Sequence, residues 1–507
     1  MMNVTFIINA RARQARAAGM VRAAWAGIPG STARHGNSFC TEILLRKAGG
    51  METITAPQRS EETRTGPAAL ALICTGYFMV ILDATVTNVA LPSIGRGLHG
   101  SVTGLQWVVD AYTLSFAALL LTGGALAERL GGRRVFTAGL VVFGAASAAC
   151  GLAPSLGVLV TARLIQGAGA AVLVPSSLLL LQAAFTDPRQ RARALGLWGA
   201  IAGVGAASGP VVGGVLVSAW SWRGVFFLNL PIAAAALLAA PHLAPVTRPR
   251  PRAVDLGGQL LAVAGLGVLT AALVAAGRLG WTSPVVLAGC GVSAAAWAAF
   301  AAVEHRGTDP MLPLRLFARR WFRTGAVVGL LINLGFYGQL FLMSLYFQDV
   351  RGYSALRTGL ALLPEAALLT VASAASGRLM ARTGPRVPML TGLLLGGAGL
   401  IGLVAAGAHT PYLVLVLPMI AAGSGMALTM PAATSAVLES APADRGGIAS
   451  GVINAARQAG GVLGVAILGS LVSVPAGFIG GLRAGLVVAG CAFLAGAALV
   501  GSGWARE

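Results

Sequence analysis

"GALAERLGGRR", residues 124–134, is echoed by "GRLMARTGPRV", residues 377–387. Gly124, Leu126, Arg129, Gly131 and Arg133 match Gly377, Leu379, Arg382, Gly384 and Arg386 at a constant offset of 253 residues. A second echo pairs "GPVVGG" (209–214) with "GGVLGV" (460–465), at an offset of 251. Two echoes at nearly one offset imply duplicated halves. Both members of the first echo follow the second apolar run of a six-run set, so the halves share orientation as well as sequence. Parallel repeats of this kind are a transporter architecture, with the binding cavity between the halves.

Composition supports a membrane setting. The chain has 507 residues, 56% hydrophobic and only 10% charged, with mean hydropathy +0.79. A soluble globular chain carries roughly 25% charged residues. From Pro67 onward, apolar runs alternate with short polar breaks. Each run is long enough to cross ~30 Å of hydrocarbon as a helix. The spacing predicts about fourteen such helices, the first over 68–92 and closed by Pro92, the last over 482–503. The chain then divides into a basic, disordered extension (1–66), an N-terminal six-helix half (67–241), a linker with two inserted helices (242–323) and a C-terminal six-helix half (324–507). Translation from Met51 is the alternative reading of the extension.

The net charge of +20 is not read as nucleic-acid binding, because no soluble basic domain exists. With the N-terminus inside, the inner loops hold Arg129, Arg133, Arg134, Arg189, Arg191, Arg193, Arg248, Arg250, Arg252, Arg306, Arg315, Arg319, Arg320, Arg323, Arg378, Arg382, Arg386 and Arg445. The outer loops hold only Arg96, Arg223, Arg278, Arg351, Arg357 and Arg483. Such asymmetry follows the positive-inside rule and puts both termini in the cytoplasm. Lys47 is the only lysine, a composition associated with high-GC bacterial genomes. The five cysteines are scattered and form no metal or disulfide pattern.

The loop at 124–134 resembles the loop motif of the major facilitator superfamily, with Glu128 in place of the usual Asp and Gly132 where Arg is common. "LVTARLIQGAGAA" (159–171) is similar to that superfamily's fourth-helix motif, and "GAASGPVVGG" (205–214) to its antiporter motif on helix five. "LDATVTNVALP" (82–92) resembles the first-helix motif of the fourteen-helix drug:proton antiporters. The resemblance implies an all-α major facilitator fold that exports drugs or antibiotics against protons by alternating access. It also makes Gly124, Glu128, Arg129, Gly131, Arg133 and Arg134 a gating loop that latches two helix ends.

The residues themselves indicate where chemistry sits. Three of the sixteen acidic residues lie inside apolar spans: Asp83, Asp110 and Glu365. Burial disfavours a charged carboxylate, so such a group can load and release a proton as its surroundings alternate. Arg163 needs a partner, for which Asp83 and Asp110 are the candidates, and Gln166 shares its face. Snorkelling to the outer interface is the competing reading. Asp83 lies about 13 Å before Pro92 by helical rise, with Thr87 and Asn88 placed to bond its carboxylate or a substrate. Arg457 is a possible partner for Glu365. Gly205, Gly209 and Gly213 form a smooth stripe, and with Pro210 and Gly214 make a bendable packing seam. Trp107, Tyr112, Phe336, Tyr337, Phe341 and Tyr346 either pack or line a cavity.

The expected partners are a small hydrophobic or cationic substrate, protons and the lipid bilayer, with no nucleic acid. The expected assembly is a monomer in the bacterial cytoplasmic membrane. No GxxxxGK[ST] loop is present, so the proton gradient replaces a cofactor as the energy source. A proton symporter of the same fold is the alternative. A membrane sensor or enzyme has no soluble domain, nucleophile–base pair or metal cluster in its favour.

Overall fold

The computed structural model describes residues 59–243, 255–307, 314–442, 446–473 and 477–502, with positions 245, 247 and 312. The chain forms two compact units, Met1–Thr63 and Arg64–Glu507. Of the first, only residues 59–63 are described, as helix. The expectations for residues 1–58, including a start at Met51, and for Arg248, Arg250, Arg252 and Arg445 lie outside the described residues.

The second unit holds the membrane-spanning part. Among the described residues, fourteen helices are long and apolar enough to span a bilayer. They are α1 Gly66–Leu98, α2 Val102–Leu130, α3 Gly132–Leu152, α4 Leu156–Ala184, α5 Arg189–Ala219, α6 Gly224–His242, α7 Leu256–Leu279, α8 Pro284–Arg306, α9 Arg320–Val350, α10 Ala355–Thr383, α11 Arg386–Ala405, α12 Tyr412–Ser440, α13 Ile448–Val472 and α14 Phe478–Gly501. In hydrocarbon every backbone N–H and C=O must be bonded within the segment, and a helix does this. Local signals fix the ends. Ser101, Ser354 and Asp255 accept hydrogen bonds from the first-turn amides of Gly104, Arg357 and Gly258. Gly131 ends α2 at φ +92° and Gly384 ends α10 at φ +73°, a backbone region that favours glycine. These two glycines are equivalent in the sequence repeat, so the echo is also one of backbone conformation.

Two boundaries differ from expectation: α14 starts at Phe478 rather than at 482, and α1 does not stop at 92. Pro92 does not close α1, which runs on to Leu98 with the proline inside it. The following turn buries Ile94 completely in the large apolar cluster that also takes in Leu91 and Leu105. That packing holds the helix together past the one hydrogen bond the proline cannot make.

The helices pack as two similar sets. In the first, α2 and α3 pack on α4, and α3 on α6; in the second, α10 and α11 pack on α12, and α11 on α14. The sets meet along two seams, α2 with α13 and α5 with α10. Each seam pairs the second helix of one set with the fifth of the other. The inserted α7 lies against both α2 and α13, and α8 packs on α7.

The two ends of the bundle differ. At the end away from the inner-loop arginines, the sets are joined. Gln348 Nε2 on α9 donates to the Val89 carbonyl of α1 at 2.9 Å, and the Leu356 amide of α10 donates to Ser218 Oγ of α5 at 3.1 Å. A π turn over Tyr346–Val350 presents Gln348 there. At the arginine-rich end, α5 and α10 part. Leu195, Gly196, Leu197, Gly199 and Ala200 are exposed on successive faces of α5, and so are Ser373, Ala374, Ala375 and Gly377 on α10. A methyl on Gly196, Gly199 or Gly377 would meet nothing within 4 Å. The α2–α13 seam stays shut at this end, where a methyl on Gly451 would sit 2.5 Å from Leu121.

Candidate transport site

Arg163 is about 1% exposed. It does not snorkel, because its partners are inside the first helix set. Its Nη1 donates to Asp83 Oδ2 at 2.5 Å and to Gln166 Oε1 at 2.7 Å, and its Nε to the Val108 carbonyl at 3.0 Å. Gln166 Nε2 and Asn229 Nδ2 donate to Asp83 Oδ1 at 2.9 and 2.8 Å, and both also reach Ser147 Oγ. The guanidinium carbon lies 4.1 Å from the Tyr112 ring centroid. Five helices (α1, α2, α3, α4 and α6) thus converge on one sealed ion pair. A buried pair offsets its desolvation only when its other lone pairs and protons are also bonded, and here both Asp83 oxygens, with Nε and Nη1 of Arg163, are.

Thr87 and Asn88 do not reach the Asp83 carboxylate. Thr87 Oγ1 donates to the Asp83 main-chain carbonyl at 2.8 Å, and Asn88 Nδ2 to the Ala84 carbonyl at 3.0 Å. Inside a helix such back-bonding satisfies the side chain locally.

The other two buried acids are placed differently. Asp110 is fully buried, and neither carboxylate oxygen has a hydrogen-bond partner among the described residues. One turn before it, Gln106 Nε2 donates to the Val465 and Ala466 carbonyls of α13. One turn after it, Leu114 packs with Leu266 of α7 and Val462 of α13. Residues four apart share a helix face, so Asp110 faces the junction of α2, α7 and α13. Glu365 lies between α9, α10 and α12. Gln339 Nε2 donates to its Oε2 at 3.2 Å, while Oε1 has no partner among the described residues. A methyl on Gly423 of α12 would come 2.7 Å from Glu365 Cγ.

Arg457 does not pair with Glu365. Its Nη1 donates to Asn454 Oδ1 at 3.3 Å, one turn back on its own helix, and its Nε is buried without a partner among the described residues. It is half-buried, and a methyl on Gly329 of α9 would sit 3.4 Å from its Cγ. Tyr77 stacks on Trp198 of α5, with ring centroids 3.8 Å apart. Tyr112, Phe341 and Tyr346 are packing residues, and Phe336 is nearly so. Trp107 packs beside α7 and α13.

On α5, Gly205, Gly209 and Gly213 face α1. A methyl on Gly209 would collide with Thr85, and one on Gly213 would sit 2.8 Å from the Val86 carbonyl. Gly460 and Gly464 bring α13 equally close to Leu330 and Leu334 of α9. Gly214 and Pro210 face α10 instead, against Ala355 and Gly359. In the loop between α2 and α3, the Gly132 amide donates to Thr247 Oγ1 at 2.6 Å and Arg133 Nη1 to the Pro241 carbonyl at 3.4 Å. Gly124 lies near Pro175 of α4. Glu128 is half-buried, and Arg129 and Arg134 are exposed.

Sequence reasoning missed Asn229, Ser147 and Gln339. They carry no charge, and a search restricted to ionisable groups passes over them. Their signal is an amide or hydroxyl inside an apolar run, as in "FFLNLP" (226–231) and "FYGQLF" (336–341).

Comparison with known proteins places the chain. It belongs to the Major Facilitator Superfamily, whose profile matches residues 73–465. It is 37% identical over 450 residues to the methylenomycin A resistance protein of Streptomyces coelicolor, covering 89% of this chain and 95% of that one. It is 40% identical over 407 residues to the multidrug resistance protein Stp of Mycobacterium tuberculosis, covering 80% of this chain and 76% of that one. The fold also resembles the crystal structure of a POT family transporter in complex with a thioalcohol-conjugated peptide. That match has TM-score 0.67 and 15% identity, and covers 87% of this chain and 97% of the other.

Proposed function

We propose that this chain exports hydrophobic or amphipathic drugs across the bacterial cytoplasmic membrane in exchange for protons. The observation that carries the coupling is the contrast among the buried acids. Asp83 is bound to a guanidinium and two amides, whereas Asp110 and Glu365 have no cation among the described residues. An acid without a cation can exchange a proton at low cost, while one locked to arginine cannot. Asp110 and Glu365 therefore load and release protons, and Asp83 with Arg163 holds the first helix set rigid. The relatives' resistance names favour export over import.

The arginine-rich end is the cytoplasmic one by the positive-inside rule. The structure then corresponds to a state closed outward at α5–α10 and open inward, ready to take substrate from the cell. Alternating access follows by parting the outer contacts while the glycine seams of α5 and α13 let the helices slide and bend. The loop at Gly131–Arg134 helps hold the inner helix ends in one state. One chain supplies both helix sets, so a monomer suffices.

The test is proton release. Methylenomycin A is added to detergent-solubilised protein in unbuffered solution with a pH dye. Acidification that saturates with drug supports antiport. Saturable binding with no proton release at any pH between 5 and 8 overturns it.

A further inference from the structure

We infer that Arg457 is the substrate-recognising cation of the central cavity, and that it selects molecules bearing a carboxylate, phenolate or similar anionic group on an apolar body. This deepens the exporter reading and rests on it.

Among the described residues, five charged side chains lie deep in the spans. Asp83 and Arg163 neutralise each other out of contact with solvent. Asp110 and Glu365 are buried, so neither offers a negative charge to the cavity. Arg457 alone of the five remains half-exposed. It sits nine residues into α13, roughly 14 Å of helical rise from the helix start. A guanidinium has five N–H donors, and its hydrogen-bond partner here is one neutral amide oxygen, Asn454 Oδ1. Its Nε is buried, so the Nη protons that Asn454 does not engage are the donors left for a ligand.

Its surroundings come from both helix sets. From the first, the cluster that holds Tyr77, stacked on Trp198, packs against Ala455, two residues before Arg457. Tyr337 belongs to the second and lies against Gly461, where a methyl would be 3.4 Å from its ring. Gly329 leaves room beneath the arginine stem. Aromatic walls with one guanidinium suit a flat apolar body that ends in an anion, because Arg meets a carboxylate with two parallel hydrogen bonds. A cation placed there would meet a like charge. The open end carries the same sign. Arg189 and Arg193 on α5 and Arg378 and Arg382 on α10 are exposed at this end of the two helices, against exposed Asp187 before α5 and Glu439 near the end of α12. Such a rim steers anions inward. The preference is thus opposite to the cationic one that the sequence suggested.

Three xanthene dyes of similar body test this: fluorescein (anionic), its methyl ether methyl ester, in which both acidic oxygens are capped (neutral), and rhodamine 6G (cationic). Binding to the detergent-solubilised full chain is read by fluorescence polarisation, and efflux is read separately in proteoliposomes. The expected result is tightest binding of fluorescein. Arg457→Gln should weaken fluorescein roughly tenfold, the scale of one charge-assisted bond, and leave the ester unchanged. Arg457→Lys should restore part of the loss. Equal affinity for fluorescein and rhodamine 6G, tighter binding of the cation, or no effect of Arg457→Gln on fluorescein overturns the assignment. Anion-selective binding without efflux under a proton gradient would instead sink the exporter reading and leave the recognition role standing.

Discussion

Arg163 on α4 and Asp83 on α1 meet through a 2.5 Å hydrogen bond, with neither side chain open to solvent. Removing one partner leaves the other charge buried and unpaired. Asp83→Asn should therefore cost about 3 kcal/mol of stability, read as a lower thermal midpoint in detergent. The double variant Asp83→Leu with Arg163→Met should recover much of that loss, since apolar groups can replace a buried pair. A normal midpoint for Asp83→Asn, with transport that no longer responds to pH, would make Asp83 the coupling acid instead.

Glu365→Gln keeps the shape of the carboxyl group and removes its proton exchange. Substrate-driven proton release should drop, and the pH dependence of drug binding should flatten, while the midpoint stays near that of the parent. Asp110→Asn tests the second acid in the same way. If both variants release protons like the parent, neither site carries coupling.

The α1–α5 contact leaves no room for a side chain at Gly209. Gly209→Val should lower the thermal midpoint by an overpacking cost of about 1–3 kcal/mol and impair drug resistance. Gly199→Ala is the control, because that position opens onto empty space. Equal behaviour of the two variants would show that the seam is loose in the membrane.

Ser218 and Leu356 join α5 to α10 at the closed end. A Ser218→Cys, Leu356→Cys pair in a cysteine-free background should form a disulfide on oxidation and stop transport. Reductant should restore it. Full transport in the oxidised, cross-linked protein would mean that this end never opens.

Much of this was legible in the chain. Arginine placement and the repeat determined the helix count, and a buried guanidinium has to find a carboxylate, which made Asp83 a candidate partner for Arg163. Which acids stay unpaired was not legible, because Asp83, Asp110 and Glu365 look alike as letters in apolar runs. Their difference depends on which acid Arg163 and Asn229, brought in from α4 and α6, come to meet. Thr87 and Asn88 misled because sequence spacing gives a shared face but not the competition from their own backbone carbonyls. Pro92 misled because its local cost is outweighed by the packing of the turn beyond it.

The position of α7 has a mechanical consequence. It is laid along α2 and α13, the seam that stays shut from end to end, and not along α5 and α10, where the sets separate. In a book, the spine travels least when the covers swing. In the proposed transport cycle, a hairpin added along the spine would ride with both covers without being stretched, so two extra helices would add bulk without adding resistance to the swing.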